Sequence, residues 1–126
     1  MRFVVVLAAL VLVAGCGEDD DSEAPASAPR LADLTVTVDD GSKKTAEVRC
    51  DAPGDSKVCG ALAGIKPKTF EPVPGNVACT QQYGGPETAK VDGELRGETI
   101  HARFSRVNGC EIARWDVAKA LFEAAG

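Results

Sequence analysis

The stretch that decides the fold class runs from Leu31 to Cys50 and reads LADLTVTVDDGSKKTAEVRC. Apolar side chains recur at every second position in both halves of it: Leu34, Val36 and Val38, then Ala46, Val48 and Cys50. A period of two places such side chains on one face of a β-strand. The intervening Asp39-Asp40-Gly41-Ser42 is rich in turn-forming residues. The stretch therefore predicts a β-hairpin with one buried face.

Two more strands are predicted further along the chain, at Thr88–Leu95 and Glu98–Val107. Alternation in the second of these divides its side chains between two faces. The side chains predicted to face inward are Ile100, Ala102 and Phe104, and those predicted to face solvent are His101, Arg103 and Ser105.

Two short helices complete the expected secondary structure. Asp55 or Ser56 is positioned to cap a helix that ends near Gly64. Asp116 is predicted to cap a last helix, whose packed side chains would be Val117, Leu121 and Phe122. The segment from Phe70 to Cys79 is broken by prolines and a glycine and is expected to be irregular, which in a compact domain is usual for functional loops. The order of elements predicts an antiparallel α+β domain over residues 31–126.

The N-terminal segment resembles an export signal. Met1-Arg2 precedes about a dozen apolar residues, a run too short to cross a bilayer. The sequence Val13-Ala14-Gly15-Cys16 then fits a bacterial lipobox, in which small residues admit the signal peptidase and the cysteine thiol receives the lipid. We expect residues 1–15 to be removed and Cys16 to anchor the chain at the extracytoplasmic face of the cell membrane.

Residues 16–30 are expected to form a disordered tether. They are rich in acid, Pro, Ala and Ser and have too little apolar surface to offset the entropy of ordering. A solvated linker is favoured over calcium binding by Glu18 to Glu23. The formal charge of −5 is concentrated there. Because charges nearly cancel in the rest of the chain, nothing indicates a nucleic-acid partner.

Five cysteines are present, and setting Cys16 aside leaves four, which allow three disulfide pairings. Pairing of sequence neighbours would join a strand to a helix and a loop to a strand end. A four-thiolate zinc site is disfavoured, because no C-x₂-C pair is present and an exported domain meets an oxidising compartment. No cofactor and no metal are expected.

These cysteines and their surroundings are similar to those of the Streptomyces subtilisin inhibitor family. The similarity covers most of Leu31 to Cys110. It rests on the following features, in chain order: Cys50, Cys59, Cys79-Thr80-Gln81-Gln82-Tyr83-Gly84-Gly85-Pro86, Val91-Asp92-Gly93, Phe104 and Cys110. The resemblance implies a sheet of about five antiparallel strands with two helices. It also implies disulfides Cys50–Cys59 and Cys79–Cys110.

The resemblance further implies inhibition of a subtilisin-like serine protease by a substrate-like reactive loop. Matched residue by residue, the loop has Cys79 at P3, Thr80 at P2, Gln81 at P1, Gln82 at P1′ and Tyr83 at P2′. The implied scissile bond is Gln81–Gln82. A homodimer through the sheet is a further possibility that the family suggests.

The sequence also departs from the family pattern. Gln81 stands where family members usually have Met, Leu, Lys or Arg, the first disulfide loop is short, and the tail after Cys110 does not match. A non-inhibitory surface lipoprotein of the same fold, acting as a protein-binding module, is therefore the alternative. An enzyme is disfavoured, because His101 is the only histidine in the chain and no Ser/His/Asp set is recognisable.

Overall fold

The computed structural model describes residues 29–126, in which one antiparallel sheet is covered on one face by helices. The elements in chain order are β1 (Ala32–Asp39), β2 (Lys43–Cys50), α1 (Lys57–Gly64), a 3₁₀ helix (Pro67–Phe70), β3 (Gly85–Leu95), β4 (Glu98–Arg106) and α2 (Gly109–Ala125). The strand order within this part of the chain is β2-β1-β3-β4. The α+β class is confirmed, but the described residues form four strands rather than about five. The segment after Cys110 is helical and adds no strand to the sheet.

The predicted hairpin is confirmed as β1 and β2. Val36 lies opposite Ala46 in the ladder and is completely buried. The turn is stabilised by Asp39 and Asp40, whose carboxylates accept the backbone N–H groups of Gly41 and Ser42 at 3.2 and 3.3 Å. Gly41 has φ +107°, a conformation that glycine adopts without steric penalty.

Helix α1 starts at the predicted cap and is tied to the sheet. The Ser56 hydroxyl accepts the backbone N–H of Cys59 at 3.2 Å, and Cys59 forms a disulfide with Cys50 at the end of β2. At the other end of the helix, the guanidinium of Arg96 donates to the carbonyl oxygens of Leu62 and Ala63 at 3.0 and 2.8 Å. A side chain from the β3–β4 turn thus binds the last carbonyls of α1.

The prediction for the last helix was wrong at its start. Helix α2 begins at Gly109 and is capped by Asn108, whose side-chain oxygen accepts the N–H of Glu111 at 2.9 Å. Asp116 lies within the helix and is exposed. Leu121 and Phe122 are buried as predicted, together with Ala118, whereas Val117 is 53% exposed, so its predicted burial was wrong.

Aromatic side chains meet between the sheet and α2. Phe104 of β4 makes edge contacts with Phe70 and Phe122, at centroid distances of 6.1 and 5.1 Å. Trp115 packs on Phe122 at 4.4 Å. Leu34, Val36 and Val91 belong to the same core cluster, whereas the opposite face of the sheet is exposed and polar. No helix within residues 29–126 has the length and apolarity that crossing a membrane requires.

Candidate functional site

The segment from Cys79 to Gly84, called the Cys79–Gly84 loop below, connects the irregular stretch after the 3₁₀ helix to β3. It has no regular secondary structure, and Thr80, Gln81, Gln82 and Tyr83 are all exposed. None of its residues has a positive φ. The expectation of an irregular segment between Phe70 and Cys79 is confirmed, and this segment continues to Gly84.

The N-terminal side of the loop is fixed to the start of α2. Cys79 forms a disulfide with Cys110, with 5.4 Å between their Cα atoms. The backbone N–H of Gly109 donates to the carbonyl oxygen of Thr80 at 3.0 Å. A methyl group at Gly109 would lie 2.0 Å from the Thr80 hydroxyl oxygen, so only glycine fits there without a shift. The disulfide therefore holds Cys79, and the hydrogen bond holds the next loop residue, Thr80.

The C-terminal side of the loop is fixed to the end of β4. The backbone N–H of Gly84 donates to the carbonyl oxygen of Arg106 at 2.7 Å. A Cβ at Gly84 would lie 2.9 Å from the Ile112 side chain. Gly85 follows with φ +138° at the start of an irregular stretch of the β3–β4 ladder. Both ends of the loop thus contact one short segment, the β4–α2 junction at residues 106–110.

Exposed apolar side chains occur in this loop, shortly before it in the chain, and in the β4–α2 junction that it contacts. Among residues 29–126, the large apolar side chains exposed to solvent are Val77, Tyr83, Val107 and Val117. Three of the four belong to the loop or its immediate flanks. Tyr83 is 65% exposed, Val77 lies two residues before Cys79, and Val107 follows Arg106. Loops often make protein contacts, and these side chains offer apolar area for such a contact.

Arg114 of α2 binds the 3₁₀ helix that precedes the irregular segment leading to the loop. Its guanidinium donates to the carbonyl oxygens of Thr69 and Arg103, both at 3.2 Å, and to Glu111 at 2.7 Å. It also lies 4.7 Å from the centre of the Phe104 ring. An open groove of about 410 Å³ lies beside Arg114, and Pro72 is among its lining residues. These contacts hold the 3₁₀ helix, from which the irregular segment departs.

His101 lies away from the loop, in the middle of β4. Its Nδ1 is 3.0 Å from an Asp92 carboxylate oxygen on the neighbouring strand, and both side chains are exposed. The prediction that His101 faces solvent is confirmed. The pair lies on the exposed sheet face, apart from any enclosed site.

The structure decides between the possible cysteine pairings and the zinc site considered from the sequence. Cys50–Cys59 and Cys79–Cys110 use all four cysteines after Cys16, which excludes the four-thiolate zinc site. Within the described range, no three His, Cys, Asp or Glu side chains are grouped so as to hold a metal ion. Cys16, the export signal at 1–15, the acidic run at 18–23 and most of the tether lie outside the described residues.

Sequence reasoning missed the supports of the loop. Gly109, Arg106 and Ile112 are separated from it by more than 20 residues, and no local periodicity connects them. The cap at Asn108 did have a local signal, because Glu111 follows three residues later in the pattern of a helix start.

Comparison with known proteins finds no match, whether with a protein family, a curated protein or a solved structure. The resemblance to the subtilisin inhibitors therefore stays a prediction from the sequence. The geometry of the Cys79–Gly84 loop is the basis for a functional assignment.

Proposed function

We propose that this protein is a membrane-anchored inhibitor of subtilisin-like serine proteases, with Gln81–Gln82 as the reactive bond. The observation that carries the proposal is the exposure of Thr80 to Tyr83 between two fixed ends. A loop that already holds its bound shape loses little conformational entropy when it enters a protease cleft. Such a loop can therefore bind tightly as a substrate would, without a large interface.

The same geometry favours slow turnover. Attack by the protease serine on Gln81 would release the amino group of Gln82 as the leaving group. Both halves of the cut loop would stay attached to residues 106–110, by the disulfide on one side and the Gly84–Arg106 hydrogen bond on the other. An amine held in place has a high effective concentration, so religation competes with attack by water.

Gln81 restricts the class of target. Its side chain is neutral, so it offers no partner to a carboxylate in a trypsin-type S1 pocket. It has little apolar area for a deep apolar pocket. A subtilisin-like protease with broad S1 tolerance fits these properties best.

The place where the chain enters the domain, at Arg30, supports action at a membrane surface. The chain enters the domain at Arg30, next to the start of β1, where Ala32 pairs with Leu95 at the end of β3. The Cys79–Gly84 loop joins β3 at its opposite end, at Gly85. The chain entry and the loop are therefore separated by the length of β1, about 27 Å for eight residues. With lipid on Cys16, the loop would lie at the end of the domain remote from Arg30, where proteases that approach from outside can reach it.

A protein-binding module without inhibitory activity is the second candidate. It is favoured by the exposed Tyr83, Val77 and Val107, which offer apolar contact area that does not depend on a reactive bond. In that case the loop would bind a partner, but Gln81–Gln82 would not be attacked. A dimer through the exposed sheet is a separate possibility that sedimentation of the purified chain would test.

The deciding experiment mixes the full chain, extracted in mild detergent with its disulfides intact, with subtilisin. We expect stoichiometric inhibition, with slow cleavage confined to Gln81–Gln82 on mass spectrometry. Rapid degradation, or no binding, would contradict the inhibitor function. Tight binding without inhibition would instead support the second candidate.

Two variants make the experiment specific. Gln81→Lys should add trypsin inhibition, because it supplies the cation that a trypsin-type pocket binds. Tyr83→Ala should weaken the complex with subtilisin about tenfold or more, as expected for loss of an exposed aromatic contact. Val117→Ala is the matched control, since Val117 is similarly exposed but lies on α2.

A further inference from the structure

The end of β4 contains a residue, Arg106, that contacts the C-terminal half of the loop. The carbonyl oxygen of Arg106 accepts the N–H of Gly84 at 2.7 Å. Its Cβ lies 3.2 Å from the position that a Cβ of Gly84 would occupy. Gly84 is two residues beyond Gln82, so Arg106 contacts the segment that would carry the new amine after cleavage.

The Arg106 side chain connects this segment to β3. Its Nη1 donates to Glu87 Oε2 at 3.2 Å, and both side chains are 31% exposed. The pair is therefore less screened by water than the Arg49–Glu47 pair on β2, whose side chains are 59% and 64% exposed. The guanidinium carbon also lies 6.0 Å from the centre of the Trp115 ring.

Glu87 in turn lies against the start of β3. A Cβ at Gly85 would lie 2.2 Å from a Glu87 carboxylate oxygen, so the carboxylate folds back over the glycine that follows the loop. The ladder with β4 is irregular between Gly85 and Ala89. Because backbone pairing is interrupted there, the Arg106–Glu87 pair supplies contacts that the ladder lacks.

We propose that Arg106 and Glu87 are positioning residues that hold the amine side of the cleaved loop for religation, an inference that rests on the proposed inhibitor function. In the forward step, the protease serine oxygen bonds to the carbonyl carbon of Gln81. The Gln81–Gln82 C–N bond breaks, and the Gln82 nitrogen takes up a proton and leaves as the amine. In religation that amine attacks the acyl carbon, the serine oxygen departs with a proton, and the peptide bond re-forms.

Water is the competitor in this scheme. If water attacks first, one water molecule is consumed, the acyl group is released as the Gln81 carboxylate, and the loop is cut. The disulfide at Cys79 holds the acyl side whatever happens at Arg106. Loosening the Arg106–Glu87 pair would therefore release the amine side alone and favour hydrolysis over religation.

The test uses Glu87→Gln and Arg106→Gln in the full chain, with Arg106→Lys as the conservative variant and Glu47→Gln as the surface control. Thermal unfolding of each variant identifies any general loss of stability. We expect the two glutamine variants to accumulate loop cut at Gln81–Gln82 in the subtilisin complex about tenfold faster than the native chain. Arg106→Lys should recover part of this difference, and Glu47→Gln should match the native chain.

A second readout is independent of protease inhibition. Hydrogen exchange of the Gly84 amide, measured by NMR on the chain alone, should accelerate about tenfold in Glu87→Gln, whereas exchange of the Gly109 amide should not change. An unchanged Gly84 exchange rate in both glutamine variants would overturn the positioning role. If the native chain fails to inhibit subtilisin while Gly84 exchange responds as expected, the inhibitor function fails and the structural coupling stands.

Discussion

The N–H of Gly109 donates to the carbonyl oxygen of Thr80 at 3.0 Å, while the missing side chain of Gly109 leaves room for the Thr80 hydroxyl. One glycine at the start of α2 thus holds the backbone, and leaves space for the side chain, of a loop residue 29 positions earlier in the chain. The loop shape consequently depends on the exact placement of the helix.

Gly109→Ala should disturb the loop, because the added methyl group would overlap the Thr80 hydroxyl oxygen. We expect Gly109→Ala to lower the unfolding free energy by about 1 kcal/mol relative to Gly64→Ala, because the Thr80 hydroxyl must move away from the new methyl group. Gly64→Ala at the end of α1, where no atom lies within 4 Å of the new methyl group, is the matched control. Denaturant unfolding measures the stability of both variants. Equal stabilities of Gly109→Ala and Gly64→Ala would contradict the close packing of Gly109 on Thr80.

The corrected start of α2 predicts unequal effects for two polar residues. Asn108→Ala removes the side-chain acceptor for the Glu111 N–H and should cost about 0.5–2 kcal/mol. Asp116→Ala, in the exposed middle of the helix, should change stability by less than about 0.5 kcal/mol. Thermal unfolding followed by circular dichroism distinguishes them. A larger effect at Asp116 would favour a helix that begins there.

Phe104→Ala should be among the most destabilising single substitutions. The ring is 2% exposed and contacts Phe70 and Phe122, so its removal leaves a cavity between sheet and helix. Loss of a buried phenylalanine typically costs about 3–5 kcal/mol. Val117→Ala serves as the exposed apolar control, and calorimetry would record the difference in melting temperature. A shift no greater than that of Val117→Ala would argue against the aromatic core.

Asp55 gives the fold a predictable response to acid. Hydrogen bonds from the backbone N–H groups of Ala52 and Asp51 lower the pKa of Asp55 below its ordinary value of 3.8. Because the folded pKa is the lower one, the stability from this carboxylate is present above the ordinary value. It is lost as the pH falls through the folded pKa. Asp55→Asn should therefore destabilise the protein near neutral pH, and its difference from the native chain should shrink in strong acid.

Unfolding curves of the native chain and Asp55→Asn across the acidic range would measure this effect. Asp40 has a pKa lowered in the same direction, by the backbone and hydroxyl of Ser42 and then by Lys44, so its contribution should follow the same course. A difference between native and Asp55→Asn chains that grows toward low pH would contradict the assigned contacts.

Mild reduction should open the two disulfides one after the other, Cys79–Cys110 before Cys50–Cys59. Cys50 and Cys59 are 1% and 2% exposed, whereas Cys79 and Cys110 are half-buried and more accessible to a thiol. We expect alkylation and peptide mapping to detect Cys79 and Cys110 first. Proteolysis between Cys79 and Pro86 should rise at that stage, while the remainder of the domain stays resistant. Earlier labelling of Cys50 and Cys59 would contradict this order.

Local patterns predicted most of the sheet and failed at one helix boundary. The hairpin at 31–50 and the inward face of β4 followed from a period of two, because alternate strand residues point to opposite faces whatever their partners are. The last helix was placed too late because Asp116 and the following apolar residues also fit a helix start. Asn108 forms the cap in the structure. Leu121 and Phe122 pack as predicted, but Ala118 is buried in place of Val117.

The sequence by itself determined the strands, the exposed and buried faces of β4, and the short list of cysteine pairings. These features depend on side-chain periodicity and on residues that are near one another in the chain. Tertiary structure alone decided which groups hold the Cys79–Gly84 loop, since Thr80 meets Gly109 and Gly84 meets Arg106 only after β3, β4 and α2 have packed. A loop closed by contacts between distant residues has no local signature, because its geometry is set by the packing of the elements at both ends.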